Sequence, residues 1–273
     1  MSKLFITDLD HTFLRSDLSI SPFSVEVWNK KATSSLMSVA SARSFLKSRE
    51  LLKQLHINAP MILLDGAMVV SSDGEIISIK TLHKDLADEI VQIGSKFDID
   101  PFIIGLNSLD SLDEKFLYPR KLNEHQKDVL KGYKNDPRMC YNPDNKSMKE
   151  NLKIVYFGTK EQLEPLSNEL KNLFGKEIEV KLSPEKYGGG YFLTLLHPDG
   201  DKSKALRDVV SFLNIDYNDI TVFGDSINDI GMFKLAGNSI AVANALDEVK
   251  SVASNILKET NDEDGVALYL NRC

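Results

Sequence analysis

The feature that most limits the possible folds of this chain is an alternation of short apolar runs with helical segments near both of its ends. Apolar runs with the length of buried strands lie at residues 4–6, 35–40, 61–64, 220–223 and 239–242. Segments whose apolar residues have helical spacing begin between these runs, near residues 22, 45 and 202. Strands that are joined by helices favour a parallel sheet with helices on its faces. We therefore predict an α/β, Rossmann-like core.

The middle of the chain has a different pattern. Strands are expected at 101–106, 115–118, 152–157, 177–182 and 191–196, and helices at 84–97, 123–133 and 161–174. The polar segment 138–149 is expected to be a loop. Because the first pattern resumes afterwards, we predict that this α+β unit is inserted into the core. The predicted boundaries are 1–81 and 191–273 for the core, and 82–190 for the inserted domain.

Length, charge and cysteine content narrow the classes of function. A chain of 273 residues can bury a large core and form two domains. Its net charge of −7 disfavours a nucleic-acid partner, and no apolar run reaches the length of a membrane span. Cys140 and Cys273 fit neither a disulfide framework nor a zinc spacing, and we find no signal-peptide pattern. We expect a cytoplasmic protein, and an anionic small substrate stays possible because a local basic pocket or a metal ion can override the net charge; the oligomeric state, monomer or dimer, stays open.

Polar side chains follow three of the predicted strands. Asp8 and Asp10 follow the first, Ser41 the second and Asp225 the strand at 220–223. Ligands of parallel α/β sheets bind at the carboxyl ends of the strands. Two carboxylates spaced two residues apart in an extended segment point to the same side, where a shared cation or proton would relieve their repulsion. Each residue could instead have an ordinary role in a turn or a helix cap, but the combination favours a catalytic site.

Four segments resemble, in order, the four motifs of the haloacid dehalogenase (HAD) superfamily. They are Asp8-Leu9-Asp10-His11-Thr12, Ser41-Ala42-Arg43, Asp201-Lys202-Ser203 and Gly224-Asp225-Ser226-Ile227-Asn228-Asp229. The insertion is similar to a type II (C2) cap, and the chain most resembles the Cof-type subfamily IIB. The resemblance implies a HAD-like core with an inserted α+β cap domain. It also implies an enzyme, a Mg²⁺-dependent phosphoric monoester hydrolase that acts on a small phosphorylated metabolite such as a sugar phosphate.

The resemblance further implies roles for individual residues. Asp8 would be the nucleophile that forms an aspartyl-phosphate, and Asp10 the general acid and base. The ligands of Mg²⁺ would be the side chains of Asp8 and Asp225 and the main-chain carbonyl of Asp10. Asn228 and Asp229 would hold metal-bound water or orient the catalytic Lys202. The residues expected to bind substrate are Ser41, Ala42, Arg43, Lys202 and Asn228.

The sequence departs from the family pattern at four places. His11 and Ser203 each stand where the family has Gly, Ser41-Ala42 replaces Thr-Gly, and Asp65 replaces Asn. None of these changes removes a catalytic group, but Asp65 adds negative charge that could weaken phosphate binding.

The identity of the substrate stays open at the level of sequence. Candidate anion contacts in the insertion are Arg120, Lys121 and Lys186. Two alternatives to a phosphatase are a phosphosugar mutase on the same scaffold and a non-catalytic phospho-ligand sensor. A sensor of the receiver type needs neither a second acid at Asp10 nor a cap, so the motifs favour catalysis.

Overall fold

The structure, a computed structural model, describes residues 3–109, 112–184 and 189–273. It divides into two compact units. The first contains the described residues up to Ile79 together with Asp201–Cys273, and the second contains Lys80–Gly200. None of the helices in the described residues combines the length and the apolar composition needed to cross a lipid bilayer.

The strands of the described residues are numbered in chain order. They are β1 (Leu4–Thr7), β2 (Leu36–Val39), β3 (Met61–Leu63), β4 (Met68–Val70), β5 (Ile76–Ile79), β6 (Leu82–His83), β7 (Phe102–Leu106), β8 (Glu114–Pro119), β9 (Met139–Asn142), β10 (Glu150–Gly158), β11 (Glu179–Pro184), β12 (Tyr191–Leu196), β13 (Ile220–Gly224), β14 (Asn238–Ala241) and β15 (Asn255–Ile256).

The α-helices are numbered in the same way. They are α1 (Pro22–Lys31), α2 (Phe45–Leu51), α3 (Lys84–Lys96), α4 (Glu124–Lys131), α5 (Lys160–Phe174), α6 (Lys202–Leu213), α7 (Ile230–Phe233), α8 (Asp247–Lys250) and α9 (Gly265–Arg272).

The first unit is built on a parallel sheet with the strand order β15-β14-β13-β1-β2. Its central strands are buried on both faces, as a parallel sheet covered by helices requires. Local signals start the helices: the Ser21 hydroxyl accepts the amide hydrogen of Ser24 at the start of α1, where Pro22 is the first residue. The predicted α/β core with an inserted α+β unit is confirmed.

One predicted strand belongs to a different sheet. The run at 61–64 was expected in the parallel sheet, but β3 pairs antiparallel with β4, and β4 pairs antiparallel with β5. An isolated parallel bridge, between Ala40 and Ile62, joins β3 to the end of β2. The chain reverses directly after β3, and the hairpin partner satisfies its backbone hydrogen bonds.

The second unit is a mixed sheet with the order β11-β12-β10-β7-β8-β9, to which β6 adds beside β10. Helices α3 and α5 pack on one face through a continuous apolar cluster. Two expectations need correction here. The segment 138–149 contains the edge strand β9, which pairs with β8. The core resumes at 201 rather than 191, because β12 pairs with β10 and β11 inside the second unit.

Candidate active site

The predicted site residues of the first unit come from neighbouring strand ends. Strand β1 lies between β13 and β2, and all three run in the same direction. Asp8 follows β1, Asp225 follows β13, and Ser41 lies two residues after β2. The amide of Asp8 donates to the carbonyl oxygen of Phe223 at 3.0 Å, which continues the ladder to the first acid. The parallel register thus brings these three side chains to one edge of the sheet.

Lys202 reaches this edge from the start of α6. Asp201 caps the helix by accepting the amide hydrogen of Ser203, so that Lys202 is the first helical residue. The Lys202 side chain is fully buried, and its Nζ donates to Asp8 Oδ1 at 2.7 Å and to Asp229 Oδ1 at 2.8 Å. Burial alone lowers the pKa of Lys202, but the charges of Asp229 and Asp8 outweigh it and raise the pKa. Lys202 is therefore a fixed cation between two carboxylates.

The carboxylates of Asp8, Asp225 and Asp229 form a buried cluster. One oxygen from each lies within 4.8 Å of the others. Burial raises the pKa of Asp8 well above its usual value, and the charges of Asp229 and Asp225 raise it further, although Lys202 opposes them. A single lysine does not neutralise three carboxylates. Hard oxygen ligands around such a site suit a divalent cation like Mg²⁺, so these residues fit the metal that the sequence predicts.

Asp229 has a defined place in this cluster. Its Oδ2 accepts the amide hydrogens of Asp225 and Ser226, each at 3.1 Å, while its Oδ1 accepts from Lys202. A Cβ atom at Gly224 would lie 2.6 Å from the Asp229 carboxyl carbon, so this close approach requires glycine. Both oxygens of Asp229 are therefore engaged by the protein, and the arrangement orients Lys202.

Asp10 is turned toward a different cation. Arg43 makes a two-pronged ion pair with it, from Nε to Oδ2 at 2.8 Å and from the second guanidinium nitrogen to Oδ1 at 2.6 Å. His11, directly after Asp10, has a positive φ of 59°. The family's glycine is favoured in this conformation, and His11 adopts it here while Asn244 donates to the His11 carbonyl at 2.7 Å.

Ser41 and Ala42 form the turn after β2. Ser41 is fully buried, and its hydroxyl oxygen accepts the amide hydrogen of Arg43 at 3.1 Å. The hydroxyl group can still donate its own hydrogen to a bound anion. Ala42 is exposed beside it.

Asn228 and Asp65 contact each other. The Asn228 side chain donates to Asp65 Oδ1 at 3.0 Å, and its own Oδ1 accepts from the Ser226 hydroxyl at 2.7 Å. Asp65 is 5 % exposed and has a positive φ of 59°. The sequence places Asn228 among substrate-binding or water-holding residues but does not predict this partner.

Sequence reasoning missed two further residues of the site. Thr12 donates from its hydroxyl to Asp225 Oδ1 at 3.1 Å, and Asn244 holds the His11 carbonyl. Thr12 lies in the first motif and Asn244 in none of the four, and a single hydroxyl or amide has no distinctive local signal. Among the candidates in the second unit, Arg120 is exposed, Lys121 pairs with Asp98 at the surface, and Lys186 lies outside the described residues.

Comparisons with known proteins show which proteins this chain is similar to. The YcsE protein of Bacillus subtilis, named as a 5-amino-6-(5-phospho-D-ribitylamino)uracil phosphatase, is 26% identical over 97% of this chain and 93% of its own length. A haloacid dehalogenase-like hydrolase from Bacteroides thetaiotaomicron superposes with a TM-score of 0.81 at 22% identity, over 100% of this chain and 99% of that one. The subclass IIB sugar phosphatase BT4131 has a TM-score of 0.77 at 18% identity, over 99% and 98%. The two solved structures show a shared fold.

A parallel α/β core with a buried lysine among carboxylates at its strand ends fits an enzyme of the phosphatase class, and relatives that span nearly the whole chain are named as phosphatases. The sequence profile of the haloacid dehalogenase-like hydrolases matches residues 5–270, and the chain belongs to that family. The predictions of the family and of a phosphatase are therefore confirmed. Hydrolases of this kind generally use a metal ion, and the chain has a buried acidic cluster that could hold one.

Proposed function

We propose that this phosphatase hydrolyses the phosphate ester of a small sugar phosphate, with Mg²⁺ as cofactor and an aspartyl-phosphate on Asp8 as intermediate. The observation that carries the proposal is the buried Asp8 carboxylate, 2.7 Å from the Lys202 ammonium and next to Asp225 and Asp229. The names of two relatives support the substrate class, since one is a sugar phosphatase and the other acts on a phosphorylated ribityl chain.

In the first step a carboxylate oxygen of Asp8 forms a bond to phosphorus, and the ester bond from phosphorus to the leaving oxygen breaks. The Lys202 ammonium, the Ser41 hydroxyl and the exposed turn at Ala42 bind the phosphoryl oxygens as their charge develops. Mg²⁺, when bound by Asp8, Asp225 and the Asp10 carbonyl, supplies positive charge that lowers the repulsion between carboxylate and phosphate.

Asp10 moves the protons. As general acid it gives a proton to the leaving alkoxide, and as general base it takes one from the water that attacks phosphorus and releases Asp8. Arg43 donates to both Asp10 oxygens in the structure. Each carboxylate oxygen has two lone pairs, so the ion pair with Arg43 leaves a position on both Asp10 oxygens for the transferred proton.

We also propose that the second unit is the cap domain and that the protein works in a reducing compartment such as the cytoplasm. The thiols of Cys140 and Cys273 are both free, which supports the second proposal.

The test is a phosphate-release screen over phosphorylated sugars, sugar alcohols and p-nitrophenyl phosphate, with Mg²⁺ and with chelator. We expect release that chelator abolishes and Mg²⁺ restores. Asp8→Asn should lower kcat by at least about 10³-fold, because an amide is a poor nucleophile. The matched control is Asp73→Asn, since Asp73 is an exposed acid in the β4–β5 turn.

Three outcomes would contradict the proposal. Full activity in chelator would exclude the metal, and substantial activity of Asp8→Asn would exclude Asp8 as the nucleophile. An isomerised sugar phosphate without inorganic phosphate would indicate a mutase. Trapping of ³²P on the wild-type chain but not on Asp8→Asn would support the intermediate directly.

A further inference from the structure

Asp65 is a buried carboxylate for which the mechanism above has no role. It lies in the turn between β3 and β4, where its φ is positive, and it is 5 % exposed. Aspartate and asparagine are the non-glycine residues that tolerate this conformation best. Since both would satisfy the backbone, the choice of a charged residue needs another explanation.

The turn that carries Asp65 lies against three residues that are expected to bind substrate, Ser41, Asn228 and Lys202. The Asp65 amide donates to the Ser41 carbonyl at 3.1 Å, and Asp65 Oδ1 accepts from Asn228 at 3.0 Å. A Cβ on the next residue, Gly66, would lie 2.3 Å from the Asp201 carbonyl carbon, so the turn packs directly against the start of α6. The charge of Asp65 also reaches Lys202, whose pKa it helps to raise.

Asp65 fixes the orientation of the Asn228 amide. An ionised carboxylate only accepts hydrogen bonds, so the Asn228 nitrogen must face Asp65 and its oxygen must face the Ser226 hydroxyl. An asparagine at position 65 could donate or accept and would define this orientation less strictly. The second hydrogen of the Asn228 side-chain nitrogen then points in one fixed direction, in which it can donate to a ligand.

Asp65 also adds a fourth negative charge near Lys202, beyond Asp8, Asp225 and Asp229. A phosphate dianion that enters the site meets this charge, and in a buried site the repulsion is screened weakly. We propose that Asp65 is a positioning and charge-setting residue that orients Asn228 and weakens the binding of inorganic phosphate, so that product leaves readily. This inference rests on the proposed phosphatase function.

Two variants at position 65 separate the effect of charge from that of orientation while keeping the backbone conformation, and a third variant is the control. Asp65→Asn removes the charge but keeps a hydrogen-bond acceptor and a residue type that tolerates positive φ. Asp65→Gly removes charge and acceptor while allowing the same backbone. The control is Asp73→Asn, which removes a charge from an exposed turn of the same unit. The probe is inorganic phosphate with Mg²⁺, read by calorimetric binding and by competitive inhibition of p-nitrophenyl phosphate hydrolysis.

We expect Asp65→Asn to bind inorganic phosphate at least about threefold more tightly than the wild type. Asp65→Gly should also bind it more tightly, but should lose kcat relative to Asp65→Asn because Asn228 is no longer oriented. Asp73→Asn should behave like the wild type. A purely structural role would change stability without tightening phosphate binding.

Unchanged or weaker phosphate affinity in Asp65→Asn would overturn the charge effect, and equal kcat in the Asn and Gly variants would overturn the orientation of Asn228. These failures are distinct from failure of the proposed function. If the proposed function is wrong, the wild type will release no phosphate from any ester. The calorimetric measurement of phosphate binding does not depend on that result.

Discussion

At the scale of single residues, the two acids at the end of β1, Asp8 and Asp10, have different partners. Asp8 faces Lys202 inside the sheet edge, while Asp10 extends to Arg43 and is partly exposed. His11 takes a positive φ immediately after Asp10. The chain turns at this point, and the Asp10 side chain is held by Arg43 outside the buried cluster of Asp8, Asp225 and Asp229. The separation suits a division of labour between a nucleophile and a proton carrier.

Asp10→Asn tests this division. An amide cannot deliver or take up a proton, so we expect kcat/KM for a sugar phosphate to fall by about 10²–10⁴-fold. The loss should be clearly smaller for p-nitrophenyl phosphate, because its leaving group needs little protonation. The measurement is the ratio of the two losses, with each substrate as the control for the other. Equal losses on both would argue against Asp10 as the general acid.

At the scale of secondary structure, helix α3 contains a glycine in its interior, although glycine has a low helical propensity. Gly94 is buried, and a Cβ there would lie 2.5 Å from both the Tyr156 hydroxyl and a carbon of its ring. Tyr156 is buried on β10 and donates to the Ile90 carbonyl of α3 at 3.0 Å. Gly94 thus allows the helix to approach the sheet closely enough for this hydrogen bond.

Gly94→Ala should therefore destabilise the protein, although alanine is the better helix former. The gain in propensity is about 1 kcal/mol, and overpacking against Tyr156 should cost about 1–3 kcal/mol. We expect a net loss in urea unfolding followed by far-UV circular dichroism. Gly132→Ala is the matched control: Gly132 ends α4 with a φ of −70°, and a Cβ there would make an ordinary 3.4 Å contact with the Val129 carbonyl. Equal effects of the two changes would contradict the packing argument.

At the scale of the whole molecule, the first unit has its own spectroscopic reporter. Trp28 is the single tryptophan of the chain, is buried and packs edge-on against Phe13 at 4.9 Å. Its fluorescence therefore follows unfolding of the unit that contains the candidate active site.

The acid cluster should make the stability of this unit depend on pH and on Mg²⁺. The pKa of Asp8 is raised in the folded chain, chiefly by burial, so the folded state binds this proton more tightly than the unfolded state. That contribution is complete below the unfolded pKa of about 3.9 and is lost as pH rises through the folded pKa. The loss is about 1.4 kcal/mol for each pH unit between the two values.

In chelator, the free energy of unfolding of the wild type, read by Trp28 fluorescence, should fall with rising pH relative to that of Asp8→Asn. Mg²⁺ at about 100 times its Kd should restore about 2.7 kcal/mol, and Asp225→Asn should lose most of this gain. Parallel pH profiles of wild type and Asp8→Asn in chelator would contradict the argument.

How far the sequence predicts this protein can be judged element by element. Most strands and helices of both units follow from local apolar periodicity and caps such as Ser21, but α8, β15 and α9 at the end of the first unit were not predicted. Strand β9 was missed because a short edge strand with polar neighbours has no such periodicity. The sheet to which β3 belongs was misjudged because periodicity says nothing about the strand with which a segment pairs.

The sequence by itself determined the class of fold, the order of the motifs and the strand ends where Asp8, Ser41 and Asp225 lie, because these depend on local spacing. Only the tertiary structure decided which polar side chains meet. Lys202 and Asp8 are 194 positions apart, and Asn228 and Asp65 are 163 apart. Such pairs depend on how whole strands and helices pack together. This packing sets the distance between two side chains that are far apart in the sequence, and no local pattern predicts it.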